Sequence, residues 1–296
     1  MAAMELLSIF WLFTKADLPS IIIPCTMFGV FSALSGLQLT SHANPSFTDV
    51  LARAPLALLY NWSNMLVWTL ANQRLPESIK EDSVNKPWRA IASGKVTPDQ
   101  ARRAMLVLVP TVLVLNMLMG VGWETALVVI LNWLYNDLGG GDELTRDFMI
   151  VLAYSISNYG SLKIAIDPEL AVITEGGYLW IAIIGGAILT TAHIQDLKDQ
   201  EGDRARGRLT VPLILGDAFC RWISAICIAL WSCACIAFWS INLTNIFTCA
   251  PLSCYVIYRC IYMRNQQADK NTFRWWSLWM MSLYLLPVIY RIQEDS

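Results

Sequence analysis

The chain has 296 residues, of which 56% are hydrophobic and 15% are charged, and its mean hydropathy is +0.47. Charged residues make up about 25% of ordinary soluble domains, so this composition excludes an ordinary soluble domain. It predicts a polytopic membrane protein of the all-α class. A net charge of −2, without a basic run interleaved with aromatic residues, gives no support for a nucleic acid partner. Membrane lipid is the expected surrounding, and no protein partner is implied.

The first 17 residues are expected to form an interfacial segment and not a cleaved signal, because the apolar run is short and no basic residue leads it. Nine apolar windows follow, each long enough for a membrane helix. They cover residues 18–37, 50–71, 103–121, 122–138, 147–166, 175–195, 219–242, 244–263 and 274–291. We predict one domain over residues 1–296, a bundle of nine transmembrane helices around a central cavity that is capped on the cytosolic side.

The distribution of basic residues predicts the orientation of the bundle. Two loops after predicted spans, residues 72–102 and 196–218, contain ten of the 21 Lys and Arg residues. The loops on the opposite face contain none: residues 38–49, 120–122, 167–174 and 243. The positive-inside rule therefore places the N-terminus and both charged loops in the cytosol, and we expect the membrane to be the endoplasmic reticulum.

The two charged loops are also weakly alike. Asp82 and Asp203 are each followed by a basic patch, a proline and, about a dozen positions on, a glycine. This pattern suggests a pseudo-symmetric bundle in which each half brings an acidic helix end to a shared cavity.

The segment 196–212 reads D-L-K-D-Q-E-G-D-R-A-R-G-R-L-T-V-P. Spacings of three and four place Asp196, Asp199 and Asp203 on one face if the segment is helical. Clustered carboxylates repel one another, and Mg²⁺ takes such oxygen ligands and shares them with phosphates. The basic residues nearby suit a phosphate-bearing ligand: Lys198, Arg204, Arg206 and Arg208. We interpret the segment as a metal-bridged diphosphate site in preference to a solvated charged face.

The other loop, A-N-Q-R-L-P-E-S-I-K-E-D-S-V-N-K-P-W-R-A-I-A-S-G, is more ambiguous. Glu77 and Glu81 are four apart, as are Ser78 and Asp82, so either pair offers oxygens to a metal from one helical turn. Asn72 adds a neutral oxygen. The alternative is an acidic helix whose charge is balanced by Lys80 and Lys86.

Several polar side chains fall inside or at the ends of the predicted spans. Asn61, Asn64, Trp68 and Asn72 recur at spacings of three and four, which suits a cavity-lining face or hydrogen bonding between helices. Two further residues are candidates for the cavity wall: Tyr159 and His193, the latter one turn before Asp196. Lys163 either snorkels to the non-cytosolic surface or contacts a buried anion. Trp275, Trp276 and Trp279 are expected to anchor the lipid interface.

These motifs resemble the UbiA superfamily of intramembrane prenyltransferases. The segment 196–212 looks like the second aspartate-rich motif of that family, and N-K-P-W-R-A-I-A-S-G at 85–94 looks like the sequence after its first motif. The resemblance covers nearly the whole chain. It implies that Asp196, Asp199 and Asp203 bind Mg²⁺, and that Lys86, Arg89 and Lys163 contact the diphosphate.

The first motif departs from the family pattern N-D-x-x-D-x-x-x-D. Counting back from Asp82, the expected positions hold Arg74, Leu75 and Ser78, and Asn72, Glu77 and Glu81 substitute only with an offset. This variant is similar to the fungal UbiA-type terpene cyclases, as is T-K-A-D-L-P-S-I-I-I-P at 14–24.

The resemblance therefore predicts a Mg²⁺-dependent class I terpene cyclase that ionises farnesyl or geranylgeranyl diphosphate. The alternative is a prenyltransferase with an aromatic or other acceptor. An acidic aromatic acceptor would need a cavity arginine, and we expect no arginine inside a span. A non-enzymatic transporter is the third hypothesis. The acidic residues of a transporter should lie near the membrane midplane, whereas those of this sequence lie at the ends of predicted spans.

Overall fold

The computed structural model describes residues 2–167, 171–242, 245, 247 and 249–294. Over these residues the chain is helical, and its only β pairing is an isolated bridge between Thr40 and Ile173. The α-helices are α1 (Ala2–Thr14), α2 (Ile23–Ala33), α3 (Phe47–Gln73), α4 (Pro76–Asn85), α5 (Pro98–Leu118), α6 (Gly122–Asn136), α7 (Arg146–Ala165), α8 (Glu175–Thr191), α9 (Ile194–Leu197), α10 (Gln200–Arg206), α11 (Val211–Ile214), α12 (Asp217–Phe238), α13 (Ala250–Tyr262), α14 (Gln266–Tyr284) and α15 (Leu286–Glu294). A π-helical turn (Leu18–Ile22) leads into α2, and 3-10 turns occur at Gly36–Gln38 and Gly140–Asp142.

Three of the described helical segments are long and apolar enough to cross a membrane. They are Pro98–Leu118, Glu175–Leu197 and Asp217–Phe238. The segments Met4–Thr14 and Leu18–Ala33 also qualify together, as a pair bent by 65°. The all-α class is confirmed, but the count of nine crossings stays a prediction, and the start of the predicted window 244–263 lies partly outside the described residues.

Close backbone contacts hold the central helices together. A Cβ on Gly29 of α2 would lie 2.4 Å from the carbonyl carbon of Ser161 on α7, so only glycine permits this approach. Asn61 of α3 donates hydrogen bonds to the hydroxyls of Thr26 (3.0 Å) and Ser161 (2.8 Å) at the same place. Helices α2, α3 and α7 therefore form one tightly packed unit, and α3 and α7 contribute residues to the cavity described below.

Both charged loops contain short helices, and these pack against each other. Helix α4 occupies the first loop, and α9, α10 and α11 occupy the second. A Cβ on Gly202 of α10 would lie 2.2 Å from Nδ2 of Asn85, at the end of α4. The two charged loops therefore meet in the structure, and their place on the cytosolic side of the membrane stays a prediction.

Two sequence-based expectations about the spans are wrong. Trp276 and Trp279 are 2% and 0% exposed, and their indole N–H groups donate to Thr191 and Ser232, so they are packing residues and not lipid anchors. Arginine does occur inside a helix that is apolar enough to span: Arg221 of α12 is buried against Asp217 and Asp269.

The close approach at Gly29 leads to a stability prediction. Gly29→Ala should destabilise the protein by about 1–3 kcal/mol, because the added methyl group would overlap backbone atoms of Ser161. Thermal unfolding in detergent measures this. Gly185→Ala on α8 is the matched control, since its nearest contact is the side-chain hydroxyl of Ser155 at 3.2 Å. Equal melting temperatures for the two variants would contradict the packing of α2 on α7.

Candidate active site

A cavity of about 810 Å³ opens between the two charged loops and is lined by residues from α1 through to α14. Twelve of the eighteen site residues predicted from the sequence line it: Asn61, Asn64, Trp68, Asn72, Glu81, Lys86, Arg89, Asp196, Lys198, Asp199, Asp203 and Arg208. The structure therefore brings both motif segments and the polar face of α3 to one site.

The three aspartates of the second motif come from two short helices and not from one continuous face. Helix α9 ends at Leu197, and Asp199 precedes the first residue of α10. Burial acts to raise the pKa of Asp199, but the adjacent Lys198 ammonium and that of Lys86, 3.9 Å away, outweigh it and lower the pKa to about 2. Asp199 is therefore ionised at neutral pH and flanked by two cations.

Asp203 has one partnered oxygen and one unpartnered oxygen. Its Oδ1 accepts from Arg208 at 3.3 Å, whereas Oδ2 is buried without a hydrogen-bond partner. Burial, with the negative charge of Asp196 adding to it, raises the pKa of Asp203 to about 7. A buried carboxylate oxygen of this kind is stabilised by an added cation.

Asp196 is fully engaged by an arginine that sequence reasoning missed. Arg146, the first residue of α7, donates to Oδ2 at 3.0 Å and to Oδ1 at 2.8 Å, and both residues are buried. This bidentate geometry occupies both carboxylate oxygens. Asp196 lines the cavity, but in this arrangement its charge is already balanced.

Arginines of the second motif donate hydrogen bonds to side chains of the first motif. Arg206 donates to Glu81 (3.1 Å) and Ser78 (2.6 Å), and Arg208 donates to Glu81 at 3.3 Å. Asp142, in the turn before α7, accepts from both arginines. Burial alone would raise the pKa of Glu81, but the facing cations, Arg208 foremost, lower it. Glu81 therefore lines the cavity as a paired carboxylate.

The other first-motif candidates differ in their placement. Asp82 is 2% exposed and lies behind the cavity wall, where Arg89 donates to both of its oxygens at 2.9 and 3.1 Å. Burial raises the pKa of Asp82 despite that cation. Glu77 is exposed and does not line the cavity, whereas Asn72 lines it and donates its amide to Asn136.

Four further predicted residues also lie outside the cavity lining. Lys163 is paired with Glu124 at 2.8 Å and is roughly 26 Å along α7 from Arg146, at 1.5 Å per residue. Tyr159 stacks on Tyr178, with 5.9 Å between the ring centroids. The remaining two are His193, whose Nδ1 is 3.2 Å from Asp147, and Arg204, which is exposed on α10.

Several residues that line the cavity were not among the sequence candidates. They are Lys15, Asp17, Trp88, Tyr135, Arg146, Lys270, Phe273 and Arg274, among others. The predicted orientation could have identified the charged ones. These charged residues fall in segments that the positive-inside rule places on the same membrane face as the two motif loops. Neither spacing nor a motif distinguished them.

The carboxylate oxygens of the second motif are compatible with a hard divalent cation that also binds a phosphate. Within the described residues, no three His, Cys, Asp or Glu side chains are arranged to hold a metal ion. The unpartnered Oδ2 of Asp203 and the ionised Asp199 nevertheless supply oxygen atoms at one end of the cavity. Mg²⁺ commonly binds through one or two carboxylates and completes its shell with water and substrate phosphates, so these residues fit such an ion.

Comparison with known proteins shows the family of the chain. The model of the UbiA prenyltransferase family matches residues 29–282. The fumagillin beta-trans-bergamotene synthase af520 of Aspergillus fumigatus is 25% identical over 96% of this chain and 93% of its own length. The polyprenyl transferase eriF of Hericium erinaceus is 31% identical over 83% of this chain and 80% of its own length.

The fold has a counterpart among solved structures. A UbiA homolog from Archaeoglobus fulgidus, solved bound to GPP and Mg²⁺, superposes with a TM-score of 0.60 at 11% identity, covering 95% of this chain and 99% of that one. The family model and the relatives thus extend over most of the sequence, and the helical architecture is shared. The chain belongs to the UbiA prenyltransferase family of membrane enzymes.

Proposed function

We propose that this protein is a Mg²⁺-dependent class I terpene cyclase that ionises a linear prenyl diphosphate, farnesyl or geranylgeranyl, and cyclises the carbocation within the membrane. One observation carries the proposal: a single cavity has aspartates and lysines at one end and aromatic side chains along its wall. The similarity to a bergamotene synthase supports it. We further propose that the membrane is the endoplasmic reticulum and that the motif loops face the cytosol.

The charged end of the cavity suits a diphosphate. Lys86 and Arg89 follow α4, Lys198 precedes α10, and all three line the cavity with Arg208. Their N–H groups bind and orient phosphate oxygens through charge-assisted hydrogen bonds. When bound by Asp199 and Asp203, Mg²⁺ supplies positive charge that makes the diphosphate a better leaving group.

The rest of the cavity suits the hydrocarbon. Ionisation breaks the allylic C–O bond, and the electron pair leaves with the diphosphate. An alkene of the same chain then attacks the cation, and loss of a proton ends the sequence. Trp68 and Tyr135 present tilted rings 5.2 Å apart in the cavity lining, so π faces are available to the positive charge.

A prenyltransferase is the second candidate, and the similarity to a polyprenyl transferase favours it. An acidic aromatic acceptor would require an arginine that is available to its carboxylate. Arg89, Arg146 and Arg208 are the buried arginines of the lining, and each is paired with a carboxylate of the chain. The exposed Arg274 donates to Asn271, so among the described residues it is the lining arginine that is open to such an acceptor. An uncharged acceptor remains compatible with the cavity. A transporter is disfavoured, because the acidic residues lie at the charged end of the cavity and not midway along the helices.

Product analysis separates the two enzyme hypotheses. Membranes that contain the protein are incubated with Mg²⁺ and with each prenyl diphosphate alone, and the hydrocarbon extract is analysed. A cyclised hydrocarbon without an added acceptor is the expected result. Product formation only after an acceptor is added would overturn the cyclase proposal and support the transferase.

The second motif leads to a mutational prediction. Asp199→Ala and Asp203→Ala should each lower turnover by about a hundredfold or more, because each removes an oxygen ligand and a charge at the site of ionisation. Asp99→Ala is the control, since Asp99 is about half exposed on α5 and outside the cavity lining. Steady-state turnover and thermal unfolding are measured on all three. Wild-type turnover in either motif variant would remove that residue from the metal site.

Glu81 leads to a prediction for the first motif. Glu81→Gln should lower turnover by about tenfold and destabilise the protein by about 1–3 kcal/mol, because Arg206 and Arg208 lose a buried anionic partner. Glu201→Gln, on the exposed face of α10, should change neither quantity. Unchanged unfolding of Glu81→Gln would show that the arginine pairs contribute nothing to the fold.

A further inference from the structure

Two asparagines of α3 line the cavity away from its charged end. Asn61 and Asn64 are 4% and 5% exposed, and both belong to the lining. Asn72, next to the last residue of the same helix, also lines the cavity. At 1.5 Å per residue, Asn64 lies roughly 12 Å and Asn61 roughly 17 Å along the helix from Asn72. The two amides therefore lie beside the part of the cavity that we assign to the hydrocarbon, where an unreacted chain needs no polar group.

The hydrogen bonds of Asn61 determine which atom of its amide is left without a partner. Its Nδ2 donates to the main-chain carbonyl of Ala57 at 2.9 Å, to the hydroxyl of Thr26 at 3.0 Å and to that of Ser161 at 2.8 Å. Each of the two hydroxyls donates its own hydrogen to a main-chain carbonyl at 2.7 Å, so all three neighbours of Nδ2 accept. The orientation of the amide is therefore fixed, and its Oδ1 is buried without a hydrogen-bond partner.

Asn64, one turn along the same face of α3, repeats this arrangement. Its Nδ2 donates to the main-chain carbonyl of Tyr60 at 2.9 Å and to the hydroxyl of Thr125 at 3.4 Å. Its Oδ1 is also buried without a partner. A buried carbonyl oxygen without a partner costs stability. Two such oxygens on one wall of the cavity point to a group that the bound ligand brings to them.

Cyclisation brings positive charge to this part of the cavity. Before ionisation a prenyl chain has no charge and no hydrogen-bond donor there, so it offers nothing to an amide oxygen. When a distant alkene of the chain attacks the allylic carbon, a C–C bond forms and the positive charge moves to the other carbon of that alkene. A carbonyl oxygen carries partial negative charge and stabilises such a cation. This interaction is absent in the ground state and present during the reaction, which is the condition for catalysis.

We propose that the amide oxygens of Asn61 and Asn64 stabilise the carbocation after its charge has moved away from the diphosphate, and that they thereby determine how far cyclisation proceeds. The inference rests on the proposed function, because it assumes a cyclising substrate. Trp68, one turn closer to the charged end, contacts the charge earlier. Without the amide oxygens, an earlier cation loses a proton from its neighbouring carbon to the released diphosphate, and the C–H electron pair forms an alkene. The product is then a hydrocarbon of the same formula with fewer rings.

Product analysis of two variants of the full-length protein in membranes tests the proposal. Asn61→Leu and Asn64→Leu keep a side chain of similar size and remove the amide oxygen. Each should lower the ratio of the wild-type product to hydrocarbons with fewer rings about tenfold, because a contact with a charged group is lost. The KM should not change, since the oxygens contact the cation and not the resting chain.

Asn116→Leu is the matched control. Asn116 is buried on α5 and its Oδ1 also lacks a partner, but it lies outside the cavity lining, so this variant should keep the wild-type product ratio. Thermal unfolding in detergent shows which variants are folded. A wild-type product ratio in both folded variants of α3, or an equal change in Asn116→Leu, would overturn the inference and leave the proposed function standing. No hydrocarbon from the wild-type protein without an acceptor would overturn both.

A pair of inhibitors tests the wild-type protein without any substitution. Both carry a methylene diphosphonate head, which cannot leave as diphosphate does, on a saturated chain of prenyl length. One chain ends in trimethylammonium and the other in tert-butyl, its neutral isostere. Moving a charge from water into an apolar cavity is costly, so a wall without the oxygens would prefer tert-butyl by about a hundredfold or more. We expect the ammonium inhibitor to displace labelled pyrophosphate at least as tightly as its isostere. A preference for the tert-butyl inhibitor would overturn the inference.

Discussion

The ion pairs of Glu81 with Arg206 and Arg208 are the interaction on which the geometry of the site depends. They join α4 to the end of α10 across more than a hundred residues of sequence, and Asp142 adds a third segment to the same cluster. Burying such charges is costly unless each has a partner, and losing one partner leaves an uncompensated charge. The two motif segments are therefore held at one separation, and the width of the cavity entrance follows from it.

These ion pairs give the unusual first motif a structural role. The expected aspartates are absent at Arg74, Leu75 and Ser78, and the structure shows arginines from the opposite motif where a metal would otherwise be sought. At Ser78 the hydroxyl accepts a hydrogen bond from Arg206, so this first-motif position is a partner for a guanidinium group of the second motif.

Sequence reasoning predicted the parts of the structure that repeat along the chain. Long apolar windows predict helices, and the spacing of Asp196, Asp199 and Asp203 predicts a shared site, because both depend on local geometry. The break between α9 and α10 was not predicted, since neither Gly nor Pro marks it at Lys198 and Asp199. Partners are harder still to predict. Arg146 pairs with Asp196, and Lys163 pairs with Glu124, because the helices that carry them are neighbours in the fold. Residue spacing within one segment does not predict which helices become neighbours.

The cavity draws its wall from almost the whole chain, from Trp11 before the bend at the start of α2 to Met281 in α14. Because synthesis proceeds from the N-terminus, the first wall residues are in place long before Lys270 and Phe273 emerge. A partly made chain therefore lacks part of the cavity wall and part of its cation set. The complete cavity exists only after α14 has been synthesised.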